Sequence, residues 1–153
     1  MKQRLSLWLL INFQLLAITG CYFHRPMVYK PDIVLKKDGQ PCISIPMSET
    51  RFHSNRQFDI LMGEVVQEGV GTLWRKMYFN IQNINLPIKY YVQAGECLHF
   101  EYLFQENITY SIDFVSTVRG NDEQKTWDRE FRIKKDAEGS RQLLLDIDSR
   151  QNI

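Results

Sequence analysis

Apolar and polar side chains alternate along most of this chain, the pattern of strands that bury one face. Ile33-Val34-Leu35 is the first such run, closed by Lys37-Asp38-Gly39-Gln40-Pro41, where Asp-Gly is a turn signal. Cys42-Ile43-Ser44-Ile45 follows and Pro46 ends it, and the polar stretch from Met47 to Gln57 reads as a loop. Phe58 to Met62, with Val65-Val66, predicts a third strand before the turn at Gly69 and Gly71. From Leu73 to Ile81 both faces carry bulk: Leu73, Met77, Phe79 and Ile81 on one, Trp74, Lys76 and Tyr78 on the other. That strand is expected at the centre of a sheet or in a binding surface. Pro87 makes residues 83–91 a loop or an edge strand. Cys97 to Tyr102 predicts another strand, and Tyr110, Ile112 and Phe114 point inward from the next. After a turn at Arg119 to Asp122, Trp127, Arg129, Phe131 and Ile133 share one face, and Glu138-Gly139 precedes a last strand at Leu143 to Leu145. No segment after Cys21 has a helical period. Seven to eight short strands with frequent turns predict an all-β fold, an immunoglobulin-like β-sandwich. A lipocalin-like barrel is the alternative, but the hairpin ladder is too irregular to close one.

The first 20 residues break this pattern. Lys2 and Arg4 precede an apolar stretch from Leu5 to Gly20 whose polar interruptions are Ser6, Asn12, Gln14 and Thr19. A cationic start, a short apolar segment and a small residue before the cut describe an export signal. A membrane-spanning helix needs about 20 apolar residues, more than this segment offers. Leu16-Ala17-Ile18-Thr19-Gly20-Cys21 resembles the lipobox of bacterial lipoproteins, although Ile18 and Thr19 stand where leucine and alanine or serine are commonest. The resemblance implies that Cys21 is acylated and becomes the first residue of the mature chain. Tyr22 follows it where an aspartate would mark inner-membrane retention, which implies an outer-membrane anchor facing the periplasm. The expected organisation is a signal peptide at 1–20, a lipidated tether at 21–31 kept extended by Pro26 and Pro31, a β-sandwich at 32–148 and a tail at 149–153.

Composition narrows the function classes. Without the first 20 residues about 133 remain, enough for one domain and hardly for two. The 19 basic and 18 acidic side chains nearly cancel, so the chain lacks the basic stripe that nucleic acid would require. Of three cysteines, lipidation takes one; in an oxidising compartment Cys42 and Cys97 are expected to pair, with two buried free thiols as the alternative. A bridge there would close a loop of about 55 residues, worth about 4 kcal/mol on the chain-entropy account. No CxxC or HxxxH spacing occurs, and His24, His53 and His99 are scattered, so neither a metal nor a cofactor is expected. Ser44, Ser48, Ser54, Ser111, Ser116 and Ser140 lack a nucleophile context, and Gly69-Val70-Gly71 is too brief to cradle phosphate. The chain therefore reads as a non-enzymatic binding protein. Its candidate partner contacts are Tyr90, Tyr91 and Trp127, aromatic side chains set beside charge.

A family resemblance sharpens this reading. The lipobox cysteine Cys21, the segment Asp38-Gly39-Gln40-Pro41-Cys42-Ile43-Ser44-Ile45-Pro46, Trp74 at mid-chain, Gly95-Glu96-Cys97-Leu98 and Tyr110-Ser111-Ile112 resemble small periplasmic lipoproteins described as immunity proteins of type VI secretion systems. The resemblance implies a lipid anchor on Cys21, a Cys42–Cys97 bridge, and a protein partner, a toxin effector that the domain neutralises by occlusion. The competing expectation is a structural or assembly lipoprotein of the outer membrane or of a secretion apparatus.

Overall fold

Three long strands form the spine of the molecule. The computed structural model describes residues 27–50, 56–78, 90–121 and 123–146. Its strands are β1 (Val28–Tyr29), β2 (Asp32–Leu35), β3 (Pro41–Ser44), β4 (Gln57–Gln67), β5 (Gly71–Met77), β6 (Tyr91–Gln93), β7 (Thr109–Val118), β8 (Gln124–Lys135) and β9 (Arg141–Leu145), with a single 3-10 turn at Met47–Thr50 among the described residues. Seven strands form one mixed sheet, and β2 and β3 form a separate antiparallel pair. The result is a β-sandwich with unequal layers, as the alternation predicts.

The large sheet has β4, β7 and β8 side by side at its centre, all antiparallel. Each flank is shared by two short strands. Along the outer edge of β4, β6 pairs with residues 57–59 and β5 with residues 62–67. Along the outer edge of β8, β1 runs parallel at residues 126–127 and β9 antiparallel at residues 131–135. Val28-Tyr29 thus belongs to the sheet, not to an extended tether reaching residue 31. Strand β9 leaves the first half of β8 unpaired, and β1 supplies the missing hydrogen bonds there.

The core lies on one face of this sheet. Tyr110, Ile112 and Phe114 on β7 are fully buried, as are Trp127, Phe131 and Ile133 on β8. Phe114 stacks on Trp127 with ring centroids 5.6 Å apart, and Tyr29 of β1 tilts against the same indole at 5.4 Å. Strand β4 contributes Phe58 and Ile60, then its register against β7 shifts between Ile60 and Met62. This bulge changes the inward parity, so Gly63 and Val65 face the core beyond it. The change explains why no simple period spans β4. It also explains Gly63, where a Cβ would come within 3.3 Å of the Trp74 ring and 3.4 Å of Phe100.

The β2–β3 pair covers part of the core with Ile33 and Ile43, and Ile45 continues that cover beyond β3. Its turn is the expected one: Gly39 takes φ +81°, a left-handed conformation that glycine adopts freely, and Lys36 N–H bonds to Gln40 O at 2.9 Å. The rest of the cover comes from the segment between β6 and β7. Gly95 N–H donates to Ile45 O at 2.8 Å and Leu98 N–H to Ile43 O at 2.7 Å, which lays this segment along β3. There the Cys42 and Cys97 sulfurs are bonded, with Cα atoms 5.0 Å apart.

The expected strand from Cys97 to Tyr102 does not form. Its backbone is satisfied singly instead of by a neighbouring strand. His99 N–H donates to the Tyr90 hydroxyl at 2.7 Å and Gln105 N–H to the Tyr110 hydroxyl at 3.1 Å. Alternating apolar residues mark burial, and here burial is met by an irregular chain.

Because the bridge closes a 55-residue loop, the double substitution Cys42→Ala/Cys97→Ala is expected to lower stability by about 4 kcal/mol. Urea unfolding of both proteins checks this, and unchanged midpoints would show that the bridge constrains nothing.

Candidate functional site

The three aromatic candidates fare differently. Trp127 is 1% exposed, and its indole N–H donates to Ser116 Oγ at 2.9 Å, so it is a core residue unable to reach a partner. Tyr90 is half-buried against Tyr78, ring centroids 4.6 Å apart, with its hydroxyl committed to the His99 amide. Burial keeps that hydroxyl's pKa above its ordinary value. Tyr91 alone presents its ring outward. The Arg119 guanidinium lies 4.5 Å above it, donates to Gln57 Oε1 at 2.9 Å, and its Nε sits 3.5 Å from Asp59 Oδ1. Cys21 lies outside the described residues.

A second surface has no counterpart in the sequence reading. The segment from Leu98 to Glu106 crosses the turn end of the β2–β3 pair, and three devices hold it there. Cys97 anchors its start to β3. The Gln40 side chain clamps Phe104 from both sides, Phe104 N–H donating to Oε1 at 3.0 Å and Nε2 donating to Phe104 O at 3.2 Å. An amide side chain here takes the part of a neighbouring strand. Beneath it the Phe104 ring packs edge-on against Tyr102, Tyr110 and Phe131 at 5.1, 5.3 and 5.3 Å. Aromatic pairs of this kind contribute about 0.5–1.5 kcal/mol each beyond their buried area.

Between these clamped neighbours Leu103 stands 79% exposed. A cleft of about 260 Å³ opens on one side of the Asp38–Gln40 turn, lined by Lys36, His99 and Tyr102, and one of about 500 Å³ on the other, lined by Glu106, Asn107 and Arg141. Arg141 Nε donates to Glu106 Oε1 at 2.6 Å and Lys135 lies 3.7 Å from the other oxygen, which holds the Glu106 carboxyl below its ordinary pKa. Leu103 lines the first cleft together with Pro41, Leu98 and Phe100, and the second is the more polar of the two. Among the described residues, no group of three or more His, Cys, Asp or Glu side chains is placed to hold a metal ion.

The outer face of the sheet carries an unexpected row of charge. Glu64, Asp113 and Asp128 stand directly opposite one another on β4, β7 and β8. Like charges so placed repel. Glu64 is relieved by Arg75, which donates to both carboxylate oxygens at 2.8 and 2.9 Å, and by the Thr72 hydroxyl. Asp128 accepts a hydrogen bond from Ser111 Oγ at 2.7 Å. Asp113 sits between the two, and no cation pairs with it among the described residues. Burial, then the neighbouring carboxylates, push its pKa up to about 6.

The sequence carries no local signal for these features. Gln40 lies inside a turn motif where a polar residue is unremarkable, and its reach to Phe104, 64 positions away, has no local trace. The carboxylate row follows from strand register, which requires knowing that β4 pairs with β7.

Two outcomes follow from this geometry. Replacing Gln40 by leucine leaves the Phe104 amide and carbonyl without their partner, an expected loss of about 1–3 kcal/mol read from thermal or urea unfolding. For Asp113 the folded pKa is raised, so the folded state holds its proton more tightly than the unfolded one. Its contribution favours folding below the ordinary aspartate range and is lost as pH rises toward 6. Asp113→Asn should therefore raise the urea midpoint at pH 7.5 and leave it nearly unchanged at pH 4. A variant no more stable at pH 7.5 would show that the row does not repel.

No helix among the described residues is long and apolar enough to cross a membrane. Comparison with known proteins adds one finding. No curated protein and no solved structure matches the chain. A family model, described as a domain of unknown function, DUF7480, matches residues 28–136. Its match begins where β1 begins and takes in the clamped segment, the disulfide and the carboxylate row. The chain belongs to the DUF7480 family.

Proposed function

We propose that this protein is a lipid-anchored periplasmic lipoprotein that neutralises a secreted toxin by binding and covering it. The observation that carries the reading is the sequence Leu16-Ala17-Ile18-Thr19-Gly20-Cys21 behind a cationic start, followed so closely by a domain that begins at Val28. Acyl chains on Cys21 would bind the bilayer by about 0.8 kcal/mol per buried methylene, so several together anchor it firmly. The tether keeps the binding domain at high local concentration where an incoming effector attacks membrane or wall.

Further support comes from where the resembling segments meet. Asp38 to Pro46 forms the β2–β3 turn and β3, Gly95 to Leu98 runs along β3, and Tyr110 of β7 packs beneath the clamped Phe104. Occlusion requires a surface whose shape is set before binding, because ordering a loop at the interface subtracts from affinity. The Leu98 to Glu106 segment, tied at Cys97 and clamped at Phe104, fits that requirement. Toxin contact through Leu103 and the flanking clefts is the mode of binding this reading favours, with Tyr91 and Arg119 as a separate patch.

Genetics and mass spectrometry test the proposal together. The native polypeptide should begin at Cys21 with acyl groups attached and should carry no free thiol. Deleting the gene should leave cells sensitive to kin that deliver the toxin encoded beside it, and wild-type protein should restore resistance where Leu103→Asp does not. An envelope or secretion defect in isolated culture, with no change in sensitivity to kin, would instead identify an assembly lipoprotein.

A further inference from the structure

The end of the sandwich from which the N-terminal chain departs is unlike the opposite end. β1 runs parallel to β8 and pairs with its beginning, Val28 opposite Thr126, so the chain ahead of Met27 leaves where β8 starts. The 3-10 turn Met47–Thr50 lies at the same end. Lys125 Nζ joins the two elements, 2.5 Å from Glu49 Oε2 and 4.6 Å from the centroid of the Tyr29 ring. The turn after β6 meets them as well, since a Cβ on Gly95 would lie 2.8 Å from the Met47 sulfur. Met27 is 73%, Val28 52% and Met47 63% exposed, and the Tyr91–Arg119 pair stands on β6 and the turn after β7, beside β4's first residues. At the opposite end Val70 is exposed in the turn between β4 and β5, and Leu103 lines a cleft with Lys36 and Asp38, next to the cleft of Glu106 and Arg141.

We infer that this first end is a membrane-contact face, on which Met27, Val28 and Met47 enter the headgroup region of a phospholipid bilayer. The inference rests on the proposed anchor at Cys21. Six residue steps separate Cys21 from Met27, a reach of about 20 Å at full extension. An acylated Cys21 therefore keeps Met27 within about 20 Å of its lipid whatever path the intervening residues take, and Val28 and Met47 stand at the same end of the sandwich. Three apolar side chains alone would bind a vesicle weakly; a tether of this length makes their contact intramolecular and so favourable. Arg119 and the half-exposed Tyr91 suit the rim of such a face, where aromatic and long cationic side chains place a polar tip in water over an apolar body. The consequence is orientation. With this face down, Leu103 and its two clefts point away from the membrane, toward whatever arrives from the periplasm.

The test uses the full chain, exported, purified with its acyl groups and reconstituted into vesicles of phosphatidylethanolamine and phosphatidylglycerol. An environment-sensitive fluorophore is attached at Met47→Cys, in a second protein at Val28→Cys, and in a third at Val70→Cys as the far-end control. Labels at positions 47 and 28 should shift to the blue and lose emission when brominated lipids replace the ordinary ones, while the label at 70 does neither. Equal behaviour at all three positions overturns the orientation. So does a blue shift at 47 and 28 without quenching, which would mean that protein, such as a second copy, covers the face. Mass spectrometry of the same samples separates the two claims: an acylated chain with unquenched labels sinks the membrane face alone, and a chain without acyl groups sinks the anchor and with it this inference.

Discussion

A wide sheet with one greasy face has to be covered, and a two-stranded pair is too narrow to cover it. Everything else in this molecule follows from how that shortage is met. The remaining cover is an irregular segment that runs from β6 back to β7, and irregular backbone beside a core leaves amides and carbonyls that need individual partners. The Gln40 clamp and the hydroxyls of Tyr90 and Tyr110 supply them, and the Cys42–Cys97 bond ties the start of the segment to β3. An irregular segment is thereby tied to its neighbours at several points along its length. The same solution leaves one large apolar side chain of the segment, Leu103, exposed with nothing to bury against.

The two faces of the large sheet obey different rules. Inside, shape governs: the bulge in β4 and the absence of a side chain at Gly63 let Trp74 and Phe100 close over the sheet. Outside, charge governs, and the row Glu64–Asp113–Asp128 stores repulsion that only its ends relieve. A sheet tolerates this because β4, β7 and β8 are held together by their inner faces and their ladder. The burial of Lys125 against Glu49 and the Tyr29 ring is the converse case, an ion pair at the sheet's rim that is shielded and so works at close range.

Much of the fold was legible from alternation alone. Tyr110, Ile112 and Phe114, and likewise Trp127, Phe131 and Ile133, point inward as their period of two requires, and the turn at Asp38-Gly39 forms where its residues favour it. What escaped the sequence is what register and distance decide. Val28-Tyr29 is too short to carry a period, and only the vacant half of β8 makes it a strand. Cys97 to Tyr102 alternates like a strand, yet its neighbours are side chains from distant positions. Trp127 could be read as core or as contact, because an aromatic residue beside charge fits either, and burial settled it as core. Of the surface now considered for binding, neither Leu103 nor Gln40 carries any local mark of its position.

The joint between β1 and β8 also has a mechanical meaning. A pull applied to the chain ahead of Met27 falls first on two residues held by a short parallel ladder and by the packing of Tyr29 on Trp127. That joint is the fuse of the molecule: it would give way under load before the long antiparallel ladders of β4, β7 and β8. Its failure would bare the first half of β8's edge while the disulfide and the clamped segment, on the other layer, kept their shape.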